Sequence, residues 1–194
     1  MKVFLCIASV LAASSAFMGF YEDFSTLDRS KWSVISGDWS VKNGMLKGST
    51  GGGDGLLFYT ERAYRDFILE CRINVENREG SLVFRAKDKN NLYILVFNPK
   101  FSKDSQGSFL VIRRIGGKDT YFAGLELYKK NNEWIKAKIE ARGKIIKIYA
   151  DDNLVISVED DNFSAGLVGL RIFGDILNGC DAYFDDFKVT PLEK

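Results

Sequence analysis

The stretch Ile135-Lys136-Ala137-Lys138-Ile139-Glu140-Ala141-Arg142 alternates apolar and charged residues without a break. Successive side chains of a strand point to opposite faces, so this period describes a strand with one face in a core and one in water. Arg142-Gly143-Lys144 then turns the chain, Ile145 to Ala150 returns, and Asp151-Asp152-Asn153 turns it again before Leu154 to Val158. Similar runs occur at Asp66 to Val75, Leu82 to Lys87, Leu92 to Phe97, Phe109 to Ile115, Tyr121 to Leu127, Leu167 to Phe173 and Tyr183 to Val189. Between them lie Gly, Asn and Asp clusters such as Asp88-Lys89-Asn90-Asn91 and Gly116-Gly117-Lys118-Asp119, which are turn chemistry. The pattern amounts to about a dozen short antiparallel strands with no long stretch at helical period. Both prolines, Pro99 and Pro191, fall at strand ends, where no ladder donor is missed. So many strands exceed one open sheet; they split into two packed sheets or close on themselves. The fold class is therefore all-β, an antiparallel sandwich.

The two ends of the chain carry related patterns, Tyr21-Glu22-Asp23-Phe24 and Phe184-Asp185-Asp186-Phe187. We expect these segments to lie side by side in one sheet and to bury equivalent rings. Ahead of them, Lys2, the apolar run Val3 to Ala13 and the small residues Ser14-Ser15-Ala16 have the form of a secretory signal peptide. Residues 1–16 are assigned to that leader and 17–194 to one domain of about 180 residues, enough for a substantial core. The expected location is extracytoplasmic, secreted or periplasmic.

Loss of Lys2 brings the 27 basic residues to 26, matching the 26 acidic ones. A balanced surface has no electrostatic reason to bind nucleic acid or anionic lipid, and no later window is apolar enough to span a bilayer. The pattern sets no oligomeric state. Cys6 leaves with the leader, so Cys71 and Cys180 remain, and two readings stand: one disulfide, or two buried thiols.

The chain has no histidine, which removes Ser-His-Asp and Cys-His nucleophile systems and histidine metal sites. Gly51-Gly52-Gly53 lies between strands without a following Lys-Ser or Lys-Thr, so it is a turn and not a phosphate loop. Paired carboxylates are the chemistry left for a hydrolase. Glu159-Asp160-Asp161 follows a strand as a turn, Asp185 and Asp186 face opposite sides, and Glu70 and Glu140 are single acids. No catalytic residue is assigned and no cofactor is called for. Structural calcium stands as an option on Asp23, Asp185 and Asp186, against the plainer reading of acids at a sheet edge.

The hairpin from Leu82 to Phe97 is too apolar for a sheet with one wet face. With a three-residue loop, Arg85 falls opposite Tyr93, and Val83, Arg85, Lys87, Tyr93, Leu95 and Phe97 share a face. Leu82, Phe84, Ala86, Leu92, Ile94 and Val96 then form the core side. Rings beside planar donors and acceptors suit sugars, whose C–H faces stack while their hydroxyls need paired partners. The candidate ligand surface is Arg85, Asp88, Asn91, Tyr93 and Arg114, with Tyr121 as a further wall; the alternative is that these are satisfied core polar groups. Trp32, Trp39 and Trp134 stand at strand starts and are expected in the core.

Several motifs recur in a specific order: Phe84-Arg85-x-x-Asp88-x-x-Asn91-x-Tyr93, Trp134-x-x-x-Lys138-Ile139-Glu140-x-x-Gly143, Phe163-x-x-Gly166-x-x-Gly169-Leu170-Arg171 and Phe184-Asp185-Asp186-Phe187. With Asp23-Phe24 and Trp32…Trp39…Asn43-Gly44-x-Leu46, the chain resembles the concanavalin A-like lectin/glucanase superfamily. Within it, the chain is similar to laminin-G-like modules, levan-binding carbohydrate-binding modules and 3-keto-disaccharide hydrolase-like domains. The resemblance implies a two-sheet jelly roll whose concave face binds oligo- or polysaccharide, with Arg85 and Tyr93 near the ligand. The glucanase branch carries a Glu-x-Asp-x-x-Glu strand that this chain lacks, so the expected function is carbohydrate binding without cleavage. The alternatives are a glycoside hydrolase-like enzyme of the same fold and a protein-binding adhesion module.

Overall fold

A computed structural model describes residues 19–98, 107–127, 131–175, 177 and 179–192. The proposed leader, residues 1–16, and Pro99 lie outside the described residues. The strands are β1 (Phe20–Glu22), β2 (Trp32–Ser36), β3 (Asp38–Lys42), β4 (Met45–Thr50) and β5 (Gly53–Tyr64). Next come β6 (Phe67–Asn77), β7 (Glu79–Asp88), β8 (Asn91–Asn98), β9 (Gly107–Ile115) and β10 (Lys118–Leu127). The chain closes with β11 (Ile135–Arg142), β12 (Ile145–Ala150), β13 (Asn153–Glu159), β14 (Gly166–Gly174) and β15 (Cys180–Pro191). They form two antiparallel sheets packed as a jelly-roll sandwich. The first runs β13-β12-β11-β6-β15-β4-β3, with β1 also on β15; the second runs β10-β9-β8-β7-β14-β5-β2.

The alternation that opened the sequence lands as expected. Ile135, Ala137, Ile139 and Ala141 of β11 are buried between the sheets, and the charged residues between them face outward. The first and last strands are neighbours, with Phe20 opposite Val189 and Glu22 opposite Phe187. Phe24 and Phe187 are both buried, their ring centroids 6.4 Å apart. Tyr21 departs from the expected burial: it is 57% exposed and donates its hydroxyl to Asp186 at 2.6 Å.

The β7–β8 hairpin corrects the expected register. Phe84, not Arg85, is opposite Tyr93, the turn is the pair Lys89-Asn90 between Asp88 and Asn91, and the pairing shifts between Phe84 and Asp88. Arg85 sits within that shift at φ 48°. A one-residue slip moves a whole side-chain set to the other face. Leu82, Phe84, Tyr93, Leu95 and Phe97 therefore join the main core. Val83, Ala86, Leu92, Ile94 and Val96 form a second buried cluster with Leu56, Phe58 and Ile112 on the face turned away from it. The bulge needs a glycine beside it: a Cβ on Gly166, where β14 begins, would lie 2.4 Å from the Arg85 carbonyl carbon.

Candidate functional site

The second sheet coils far enough for two of its corners to meet. β9 and β5 are four strands apart in its order, which in a flat sheet means about 19 Å. Yet Arg114 of β9 donates from Nη1 to Asp54 Oδ2 of β5 at 2.5 Å. The accumulated strand twist brings diagonal corners toward one face, and this ion pair joins them.

Arg114 is also held by Asp119, its cross-strand partner on β10, with Nε to Oδ1 at 2.6 Å and Nη2 to Oδ2 at 2.9 Å. That fork is the strong bidentate form of an arginine–carboxylate pair. The other Asp54 oxygen accepts from Arg171 Nε at 2.6 Å, and Arg171 Nη1 reaches Glu79 at 3.2 Å and Ser81 Oγ at 3.4 Å. Burial alone pushes the Asp54 carboxyl up, but Arg171 and Arg114 outweigh it and hold the group below its ordinary value. Asp119, followed by Asp54, raises the Arg114 guanidinium against the opposing effect of burial. The result is an ionised carboxylate fixed between two guanidiniums.

A groove of about 280 Å³ opens over this clamp, lined by Ile35, Ser36, Asp54, Leu56, Lys89, Asn90 and Arg114. Its far wall is the β7–β8 turn, which its own side chains shape. Asp88 accepts from Asn90 N at 2.7 Å and from Asn91 Nδ2 at 3.0 Å, and Asn91 Oδ1 accepts from Gly116 N at 3.1 Å. Tyr121, two residues beyond Asp119 on β10, is 64% exposed.

Of the six expected ligand residues, Arg114 lies in the groove, Asp88 and Asn91 set the turn that walls it, and Tyr121 stands on the adjoining edge strand. Arg85 and Tyr93 do not join them. Both are fully buried, on the core side. Arg85 donates from Nε and Nη2 to Arg65 O at 3.1 and 2.8 Å and from Nη1 to Phe163 O at 3.2 Å. Tyr93 donates to Asp160 and accepts from Phe163 N at 3.2 Å. Asp160 also receives Arg113 and both nitrogens of Asn162. These two residues latch the segment after β13; the alternative reading of satisfied core polar groups describes them.

Asp54, Arg171, Glu79 and Asp119 are site residues that the sequence reading misses. Arg171 stands in a motif that reads as core, and Asp54 follows a glycine run that reads as a turn. Neither has a sequence neighbour to announce the partner it meets across the sheet. Trp134 is a further correction: Trp32 and Trp39 are in the core, whereas Trp134 is only half-buried.

The three acids proposed for calcium sit near the terminal strands. Asp23 caps Ser25 N at 2.9 Å, Asp186 accepts from Tyr21, and Arg72 Nη1 lies 3.6 and 3.5 Å from Asp185 and Asp186. Among the described residues, no three His, Cys, Asp or Glu side chains gather as a metal site. The disulfide reading is corrected: Cys71 and Cys180 are buried free thiols. Cys71 Sγ lies 3.4 Å from Asp185 O, five residues along β15 from Cys180, a span of about 17 Å where a bridge needs Cα atoms within about 7 Å.

Comparison with known proteins decides the family. Residues 22–190 match the 3-keto-alpha-glucoside-1,2-lyase-like domain. The chain belongs to that family. It is 31% identical over 153 residues to a levanase of Bacillus subtilis (strain 168), covering 73% of this chain and 21% of the levanase. The chain thus spans about a fifth of that enzyme's length. Among solved structures, it is similar to the carbohydrate binding module CBM66 from Bacillus subtilis, with a TM-score of 0.72 and 25% identity over 82% of this chain and 95% of that one. The fold is shared with a Bacillus licheniformis beta-glucanase, with a TM-score of 0.69 at 12% identity over 90% of this chain and 98% of that one. The concanavalin A-like architecture expected from the sequence is the one observed.

Proposed function

We propose that this domain binds polysaccharide in the clamped groove and does not cleave it. The observation that carries the reading is Asp54, an ionised acceptor locked by Arg114 and Arg171 on the floor of a groove walled by Lys89, Asn90 and Ile35. Sugar hydroxyls both donate and accept, so a fixed carboxylate beside lysine and amide donors offers complementary partners. The match to CBM66 and to one fifth of a levanase supports a binding module. A general acid needs a carboxyl with a raised pKa, whereas Asp54 is held low and its oxygens are engaged by arginine. That favours binding over hydrolysis. Export fits the leader-like residues 1–16, and N-terminal sequencing of exported protein should begin after Ala16.

The test is calorimetric titration with levan, the polymer for which the levanase is named, and with β-glucan in parallel, alongside a reducing-sugar assay. Saturable binding to one polymer, weakened about tenfold or more in both Lys89→Ala and Asp54→Asn with circular dichroism unchanged, supports the groove. Binding untouched by both variants removes it, and release of reducing sugar turns the reading toward a hydrolase.

A further inference from the structure

The outward face of the first sheet is mostly a lattice of paired charges. Lys136 meets Glu70 and Asp152, Lys47 meets Asp181, and Arg72 lies by Asp185 and Asp186. One place differs. Trp134, Tyr183, Asn43, Asn74, Asn132 and Glu76 line a groove of about 270 Å³ there. The register assembles it from separate strands: Tyr183 of β15 is opposite Asn74 of β6 and Lys47 of β4, and Ile135 opposite Ile73 sets Trp134 beside Asn74.

The lining is the kind that receives a sugar ring. Trp134 and Tyr183 are both half-buried, with cations steadying them: the Arg72 guanidinium is 4.7 Å from the indole centroid and the Lys47 ammonium 5.9 Å from the phenol centroid. Asn43 and Asn132 stand in turns with φ 54° and 63° and both line the groove. Asn74 Nδ2 donates to Asn132 O at 3.2 Å, and Asn132 N to Val75 O at 2.9 Å, so that turn is pinned to β6. Asn74 Oδ1, by contrast, is buried and accepts no hydrogen bond. Lys42 and Glu76 also line the groove, one charge of each sign, so the lining carries no net charge, which suits a neutral ligand. The volume lies near the lower end of small-molecule sites, about 300 Å³.

We propose that this groove is a second carbohydrate site, so that the domain carries one site on each outer face and bridges two polysaccharide chains. This rests on the reading of the first groove as a sugar site. Its consequence is new: sites on opposite faces cannot both follow one straight chain, so they cross-link.

Trp134 supplies a readout of its own, because Trp32 and Trp39 are buried. Titration of the whole protein with soluble levan or β-glucan should change tryptophan emission. The change should persist in Asp54→Asn, where the first groove is disabled, and vanish in Trp134→Phe. Calorimetry with an oligosaccharide of the same polymer should give two sites per protein in the wild type and one in Trp134→Ala and in Tyr183→Ala. Apparent affinity for immobilised polymer should fall at least about tenfold in either variant through lost multivalency. Turbidity from polymer cross-linking should disappear in each single-site variant. No emission change with either polymer overturns the second site whether or not the first groove binds. One site per protein that survives Trp134→Ala and Tyr183→Ala overturns the second site while leaving the first intact. A signal present in the wild type and abolished by Asp54→Asn would mean a single coupled site and also overturns it.

Discussion

Arg113 and Arg114 are neighbours on β9, yet they serve opposite faces of the sheet and opposite purposes. Arg113 turns toward the core, where Asp160 is shared with Tyr93 and Asn162, and where Arg85 ties the same segment to β7 through Phe163 O. Arg114 turns away from the core and, with Arg171, holds Asp54 beneath a groove. Each network is centred on one carboxylate, Asp160 held by Arg113, Tyr93 and Asn162, and Asp54 held by two arginines. They differ in what is left over. In the first, Tyr93, Arg113 and Asn162 occupy the carboxylate and close a loop, with Arg113 Nε buried and unpaired; the second leaves Lys89, Asn90 and Ser36 lining open space. Chemistry of one type becomes a latch or a site according to whether its surroundings have already answered it.

The strongest way to break this comparison is Arg85→Ala. It removes three charge-assisted bonds to the carbonyls of Arg65 and Phe163. A loss of about 3 kcal/mol is expected, a fall in Tm of roughly 6–12 °C. An unchanged melt with lost glycan binding would return Arg85 to the ligand surface.

Asp54→Asn should cost less in stability, about 2 kcal/mol, since the groove side of the clamp is wet, while weakening polysaccharide binding about tenfold or more. Thermal melts and calorimetry on the same sample separate the two effects. If the Asp54→Asn protein binds as well as wild type, the clamp is only a brace for the coiled sheet.

Acid should loosen both networks together. Asp54 and Asp160 each have a folded pKa below the ordinary 3.8, burial opposing and the arginine, tyrosine and asparagine partners prevailing. A carboxyl depressed in the folded state adds stability that is complete above its unfolded value and is lost as pH falls through the folded one. Stability should therefore be flat from about pH 7 to 5 and decline below about pH 4. In the Asp54→Asn protein that decline should be shallower, as denaturant titrations at each pH would reveal.

Tyr121→Ala, with the smallest expected effect, tests whether the site extends beyond the groove onto β10. The side chain is largely exposed. Its loss should leave Tm within about 1 °C and reduce binding by a factor of a few, on the order of 1 kcal/mol for a stacked ring. A variant indistinguishable from wild type in both assays confines the site to the groove itself.

Much of the fold was legible because strand period and turn chemistry are local. The Ile135–Arg142 alternation, the Gly143 turn and the paired first and last strands are read directly from residues a few positions apart. The hairpin faces were not legible. The choice between a two- and a three-residue loop shifts the register by one, and the bulge at Arg85 depends on Gly166, a residue far along the chain. Trp134 illustrates the same limit. Its apolar neighbours suggested a core position, but Ile135 takes the inward place and the alternation turns the indole outward.

What the sequence determined alone is the architecture: two antiparallel sheets, adjacent first and last strands, balanced charge and no histidine chemistry. Those features follow from side-chain period and composition, which need no partner to take effect. Tertiary structure alone decided which arginines close the fold and which line a groove. Asp54 meets Arg114 across four strands because the sheet coils, and Cys71 and Cys180 stay apart because β15 holds them along its length. Contacts of that kind depend on accumulated twist and register, neither of which is written in any short stretch of the chain.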